Sequence, residues 1–140
     1  MRRREERGSA TVFVIGMAIV LFVCAGLVVD GGLAINARMR VADDAEQASR
    51  AGADSVDLEE LRAGGEVRID TVLAANRAAE YLTRRGYGPG QYSVAVDDAG
   101  VRVSVSDTTN TAILGVVGIQ EYEVNAGATA VPETGPEQAP

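Results

Sequence analysis

An uncharged run from Ser9 to Val29, SATVFVIGMAIVLFVCAGLVV, constrains what this chain can fold into more than any other feature. As a helix rising about 1.5 Å per residue it reaches roughly 30 Å, the thickness of a bilayer's hydrocarbon core. Its hydroxyl side chains, Ser9 and Thr11, sit near its start. A helix satisfies its own backbone amides, which is what lipid demands of a spanning segment. Residues 9–29 therefore read as a transmembrane helix behind a basic segment, residues 1–8.

The flanks orient it. Of 13 basic residues, Arg2, Arg3, Arg4 and Arg7 precede the run, whereas of 20 acidic residues only Glu5 and Glu6 do. Positive residues beside a span stay on the cytoplasmic side, so the amino terminus is expected inside and the bulk of the chain outside. A signal peptide cleaved after Ala25 at Val23-Cys24-Ala25 is the competing reading, but the apolar run continues to Val29, beyond an ordinary signal core. Lipid attachment at Cys24 is disfavoured by the branched Val23 before it, and Cys24 reads as a small apolar residue of the span. With 1 cysteine the chain can form no internal disulfide, so its outer part must hold together by packing.

Composition narrows that outer part. Phe13 and Phe22 lie inside the run, and beyond it Tyr81, Tyr87, Tyr92 and Tyr122 are the aromatics, so the core must be built from Val, Ile, Leu and Ala. The residues beyond the span are enough for one small domain. A net charge of −7, concentrated beyond the span, argues against a nucleic-acid partner, which requires a cationic surface. The sequence contains no histidine and no lysine, and its single cysteine falls in the span, so the usual acid–base, thiol and serine–lysine arrangements are missing. Gly86-Tyr87-Gly88-Pro89-Gly90 lacks the helix and lysine of a nucleotide loop. Carboxylate pairs at Asp97-Asp98 and Glu59-Glu60 read as solvated. No enzyme, cofactor or catalytic residue is expected.

Nothing stops the helix at Val29. Asp30-Gly31-Gly32 loosens it by about 1 kcal/mol per glycine, yet LAINARMRVADDAEQASRAGA continues it through residues 30–53. Ala34, Ala37, Val41, Ala45, Ala48 and Gly52 recur at helical spacing and form a stripe of small side chains. Small residues admit close approach, so the stripe reads as a packing seam, either against the chain's own outer domain or against a partner helix. Arg38, Arg40, Asp43, Asp44 and Glu46 read as its solvated surround. An acidic metal site at Asp43-Asp44-Glu46 is disfavoured because adjacent carboxylates on a helix diverge and no histidine assists.

Residues 54–131 then read as a small α+β domain. Gly64-Gly65 marks a break before a second helix over Ile69 to Arg85, with Asp70 at its start, an apolar face of Ile69, Val72, Ala75, Ala79 and Leu82, and Arg84, Arg85 and Gly86 at its end. Tyr87-Gly88-Pro89-Gly90 turns the chain. Tyr92, Val94 and Val96, then Val101, Val103 and Val105, alternate with polar or small residues around Asp98-Ala99-Gly100 and predict a hairpin. DTTNTAILGVVGIQ, residues 107–120, is expected as a short helix covering the sheet, and Tyr122 to Ala130 as a third strand. The tail over residues 132–140 carries three prolines and is expected to be disordered. The fold class expected is α+β: a transmembrane helix running on into an amphipathic helix, then a second helix and a roughly three-stranded antiparallel sheet.

Arg7-Gly8-Ser9-Ala10-Thr11-Val12 entering the span, Val28-Val29-Asp30-Gly31-Gly32 leaving it, and Ala42-Asp43-Asp44-Ala45-Glu46-Gln47-Ala48 with Ala51-Gly52-Ala53 together resemble the TadE/TadG-like proteins of Flp pilus assembly. Ala126-Gly127-Ala128-Thr129-Ala130 is a weaker echo of the same family. The resemblance implies a bitopic protein or a minor pilin-like subunit that helps a tight-adherence secretion machine assemble thin pili, with the bilayer and other pilus-assembly or pilin-like proteins as partners; it also admits an oligomer. With the flanking charges the chain reads as a single-pass component of the inner, cytoplasmic membrane. Prepilin-type subunits are cut after a glycine and carry glutamate at the fifth mature position. Counted from Gly8 that position is Phe13, which favours the uncleaved TadG-like role. The candidate partner interface comprises Gly16, Gly26, Asp30, Gly31, Gly32, Ala34, Ala37, Val41, Ala45, Ala48 and Gly52. The alternatives are a secreted binding module and a membrane-anchored envelope sensor.

Overall fold

The computed structural model describes residues 5–55, 62, 68–97 and 100–132. Helix α1 runs unbroken over Glu5–Ala53, 49 residues. It passes through Asp30-Gly31-Gly32 with neither glycine at positive φ, so two glycines do not end a helix that runs on at length on both sides of them. Helix α2 follows at Thr71–Arg84, then strands β1 (Tyr92–Asp97), β2 (Gly100–Asn110) and β3 (Glu121–Ala130), with a 3₁₀ turn at Leu114–Val117 between the last two. The sheet order is β1-β2-β3 and the fold class is α+β, as expected.

The chain divides into two compact units. One comprises Met1–Asn36 with Thr108–Tyr122, the other Ala37–Asp107 with Glu123–Pro140. The second holds the core. Val101, Val103 and Val105 of β2 and Val124 of β3 point to one face, where Ala37, Val41, Ala45, Ala48 and Ala53 of α1 and Ala74, Ala78 and Leu82 of α2 meet them. Arg102 and Ser104 alternate outward, so period 2 separates the sheet's covered face from its wet one. The β1–β2 register pairs Tyr92 with Val105, Val94 with Val103 and Val96 with Val101, placing the expected apolar residues opposite one another. Gly100 closes this pairing at φ +139°, and a side chain there would run into the Ala130 carbonyl.

Asp70 caps α2, its Oδ1 accepting from the amides of Val72 at 3.1 Å and Leu73 at 3.0 Å. The buried face of α2 is Ala74, Ala78 and Leu82 rather than the stripe through Val72, which is 70% exposed. Alanines on both sides of Leu82 make the stripe ambiguous in sequence; packing selects the edge that lets backbones meet. At Gly52 of α1 an added Cβ would lie 3.1 Å from the Ala74 carbonyl oxygen and 2.9 Å from Val101 Cγ1. That approach is the use to which the small side chains are put.

Two further expectations are corrected. Asp44 is not part of a solvated surround: at 4% exposure it accepts from Arg85 Nε at 2.8 Å and from Tyr87 Oη at 2.9 Å, joining α1 to the end of α2. Residues 107–120 do not form a helix over the sheet. The β-branched Thr108 and Thr109 extend β2 to Asn110, and Gly118, at φ +96°, ends the following turn after four residues. The basic start at Arg2 to Arg4, the Gly64-Gly65 break, Glu59-Glu60, Asp98-Ala99 and the tail beyond Pro132 lie outside the described residues.

Candidate interaction site

The apolar run and the segment Thr108–Tyr122 form the first unit, and what joins them is a carboxylate. Asp30 closes the run and is fully buried. Its Oδ1 accepts from the amide of Ala112 at 2.6 Å, its Oδ2 from the amide of Leu114 at 2.6 Å, and the Ile113 amide between them reaches both oxygens at 3.2 and 3.0 Å. These three successive N–H groups precede and open the 3₁₀ turn. Ile113, at the turn's cap position, has no side chain that can satisfy them, so an aspartate 82 to 84 positions away does so. Burial pushes the Asp30 carboxyl up, but the amides of Leu114, Ala112 and Ile113 outweigh it and hold its pKa below the ordinary 3.8. A carboxylate in this place is a clamp for backbone, held charged by the groups it clamps.

Gly26 lies one helical turn before Asp30, on the same face. An added Cβ there would meet Ile113 Cγ2 at 2.8 Å and Leu114 Cδ2 at 3.3 Å. Gly26 thus admits the side chains whose amides Asp30 holds, and Leu114 is buried to 2% exposure. Backbone bonds complete the loop: Thr111 N donates to Gln120 O at 2.9 Å, Ile119 N to Leu114 O at 3.1 Å and Val116 N to Ile113 O at 3.1 Å.

The residues proposed from sequence as a partner interface fall into three groups. Gly26 and Asp30 hold the chain's own loop. Ala37, Val41, Ala45 and Ala48, at 1% exposure or less, together with Gly52, face the chain's own core, where no surface remains for a second protein. Gly16, Gly31 and Gly32 have open space where a Cβ would stand, and Ala34 is half-buried. Sequence reasoning does not find the partners of Asp30. The available signal is a carboxylate ending an apolar run one turn after a glycine, a costly place for a charge that lacks hydrogen bonds. Nor does it find the Asp44–Arg85–Tyr87 cluster, in which burial first, then the Asp44 carboxylate, pushes the Tyr87 hydroxyl up to about 12. Among the described residues no group of acidic residues or cysteine is placed to hold a metal ion.

In α1 the stretch from Ala10 onward is apolar and long enough to cross a membrane, with a mean hydropathy of 3.0 over its best window. Residues 8–55 match the model of the family described as "Putative Flp pilus-assembly TadE/G-like", in line with the resemblance carried by the residues on either side of the run. No curated protein and no solved structure matches the chain.

Proposed function

We propose that this chain is a single-span component of a Flp-type pilus assembly apparatus, seated in the inner membrane with its amino terminus in the cytoplasm, and that it works by helix packing and protein contacts without catalysis. The observation that carries this reading is the family match over residues 8–55, which includes the whole apolar run, the part of the chain that a membrane machine would contact. The arginines before the run support the orientation. Lipid and other pilus-assembly proteins are its partners, and Gly16, Gly31, Gly32 and Ala34 are the positions of α1 at which another helix approaches, since close helix approach in a membrane requires small side chains. The test is the intact mass and amino-terminal sequence of the native protein from separated membrane and culture fractions. A full-length membrane species is expected. A start at Ser9 would make the chain a processed pilin, and a soluble species starting at Gly26 would make it a secreted protein.

A further inference from the structure

Residues 108–120 carry no charge, and the turn they form displays Val116, Val117 and Ile119 at 78%, 51% and 46% exposure. The position of this loop along α1 is fixed by two contacts in the same unit: the Asp30 carboxylate on the amides of Ala112 to Leu114, and Gly26 against Ile113 and Leu114. Gly26 lies inside the apolar run, about 6 Å from Asp30 at 1.5 Å per residue. Around it Leu27, Val28 and Val29 are exposed, the outermost turn of the stretch that would face lipid. The loop's apolar tip is therefore continuous with the outer end of the span.

We propose that the 111–120 loop enters the outer edge of the bilayer beside α1 and places Val116, Val117 and Ile119 among the lipid chains, as a second membrane contact of the chain. This rests on the reading of residues 9–29 as a span. Lipid-exposed irregular backbone does not occur within the hydrocarbon region, so the loop reaches only the interfacial edge, where each amide bonded within the protein lowers the cost of the apolar contact. Asp30 takes three of the loop's amides, the Val116, Gly118 and Ile119 amides bond to carbonyls within the turn, and Thr111 Oγ1 donates to Ile119 O at 2.6 Å. A carboxylate at the boundary thus lets an apolar turn lie against lipid while its own charge stays covered. The exposed side chains are branched aliphatics on a turn held at the level of a span, which matches acyl chains more closely than the polar, aromatic-rich surface of a protein interface.

The experiment uses the full chain, purified and reconstituted alone into phosphatidylcholine and phosphatidylglycerol vesicles. Because Cys24 is the sole cysteine, an environment-sensitive fluorophore is placed at V116C, or separately at I15C, on a Cys24→Ala background. The expected result is that the V116C probe is quenched several-fold more strongly by nitroxides near the top of the acyl chains than by aqueous iodide, with deeper nitroxides favoured at I15C. Adding Asp30→Ala should shift the V116C probe towards iodide while leaving I15C unchanged. Lipid quenching at I15C with iodide quenching at V116C would overturn the loop insertion and leave the span intact. Protection of V116C from both quenchers would overturn it in favour of cover by a second copy. Iodide quenching at both positions would remove the span reading and the loop inference with it.

Discussion

Between Ala10 and Val29, α1 turns Phe13, Leu21 and Phe22 outward at 67%, 61% and 54% exposure; between Ala37 and Ala53 the same helix hides Ala37, Val41, Ala45 and Ala48 at 1% or less. In a water-soluble helix large apolar side chains are the ones that gain most from burial. Here size and burial run in opposite directions. The first stretch is suited to a solvent as apolar as its side chains, and the second uses small side chains to bring α1 close to a sheet and a second helix. The two buried aspartates differ in the same way. Asp30 is satisfied by backbone amides alone, Asp44 by the side chains of Arg85 and Tyr87.

The comparison breaks first at its leucines. Leu82 is fully buried, so Leu82→Ala is expected to cost about 2–5 kcal/mol of the second unit's stability, whereas Leu21→Ala, in the exposed stretch, should leave it unchanged. Denaturant unfolding of the full chain in detergent reads both. Equal effects would mean that Leu21 belongs to a protein core. Adding bulk tests the same contrast from the other side. Ala45→Leu overpacks a site with no exposed surface and should destabilise by roughly 1–3 kcal/mol, while Ala18→Leu, on the exposed stretch, should be neutral.

A smaller effect separates the aspartates. Tyr87→Phe removes one hydrogen bond to Asp44 and should cost about 0.5–1.5 kcal/mol near neutral pH. The Tyr87 pKa is raised from 10.0 to about 12, so the stability it contributes is fully present below pH 10 and is lost as pH rises through 12; the phenylalanine variant should lack that alkaline loss. Asp30 titrates the other way. Its folded pKa lies below 3.8, so the clamp is intact above that value and is released as pH falls through the lower folded one. Asp30→Ala should accelerate hydrogen exchange at the amides of Ala112, Ile113 and Leu114 and leave Leu82 protected. Unchanged exchange at those three amides would rule out the clamp.

How much of the molecule is legible in the chain alone depends on the range of each interaction. The long apolar helix, the Asp70 cap and the β1–β2 register depend on neighbours within a few residues or on a period, and all three are visible in one sequence. The α2 face lies to one side of the expected stripe because Ala74 and Ala78 lead to Leu82 at helical spacing as well as Ala75 and Ala79 do, and Val72, the large residue that marks the second row, is exposed. Asp30 finds its partners more than 80 residues away and Asp44 finds its own 41 and 43 away, and no local pattern encodes those distances. The 107–120 segment departs from expectation because its apolar content suggests a helix, while Thr108, Thr109 and the positive φ of Gly118 decide for strand and tight turn.

The smallest effect concerns the glycines of α1, and it divides them by neighbourhood rather than by sequence. At Gly26 and Gly52 an added Cβ lies 2.8 and 2.9 Å from a side-chain carbon, so alanine forces a shift. At Gly16 and Gly31 nothing stands within 4 Å and φ is not positive, so alanine removes backbone freedom from the unfolded chain and should raise stability by up to about 1 kcal/mol. A stability gain at Gly16 and Gly31 would leave their retention as glycine without a folding reason. Gly16→Leu and Gly31→Leu should then insert normally yet reduce recovery of pilus-assembly proteins by cross-linking in native membranes. Full recovery with both variants would take the partner surface off these positions of α1, because a leucine holds neighbouring helix backbones apart where a glycine lets them touch.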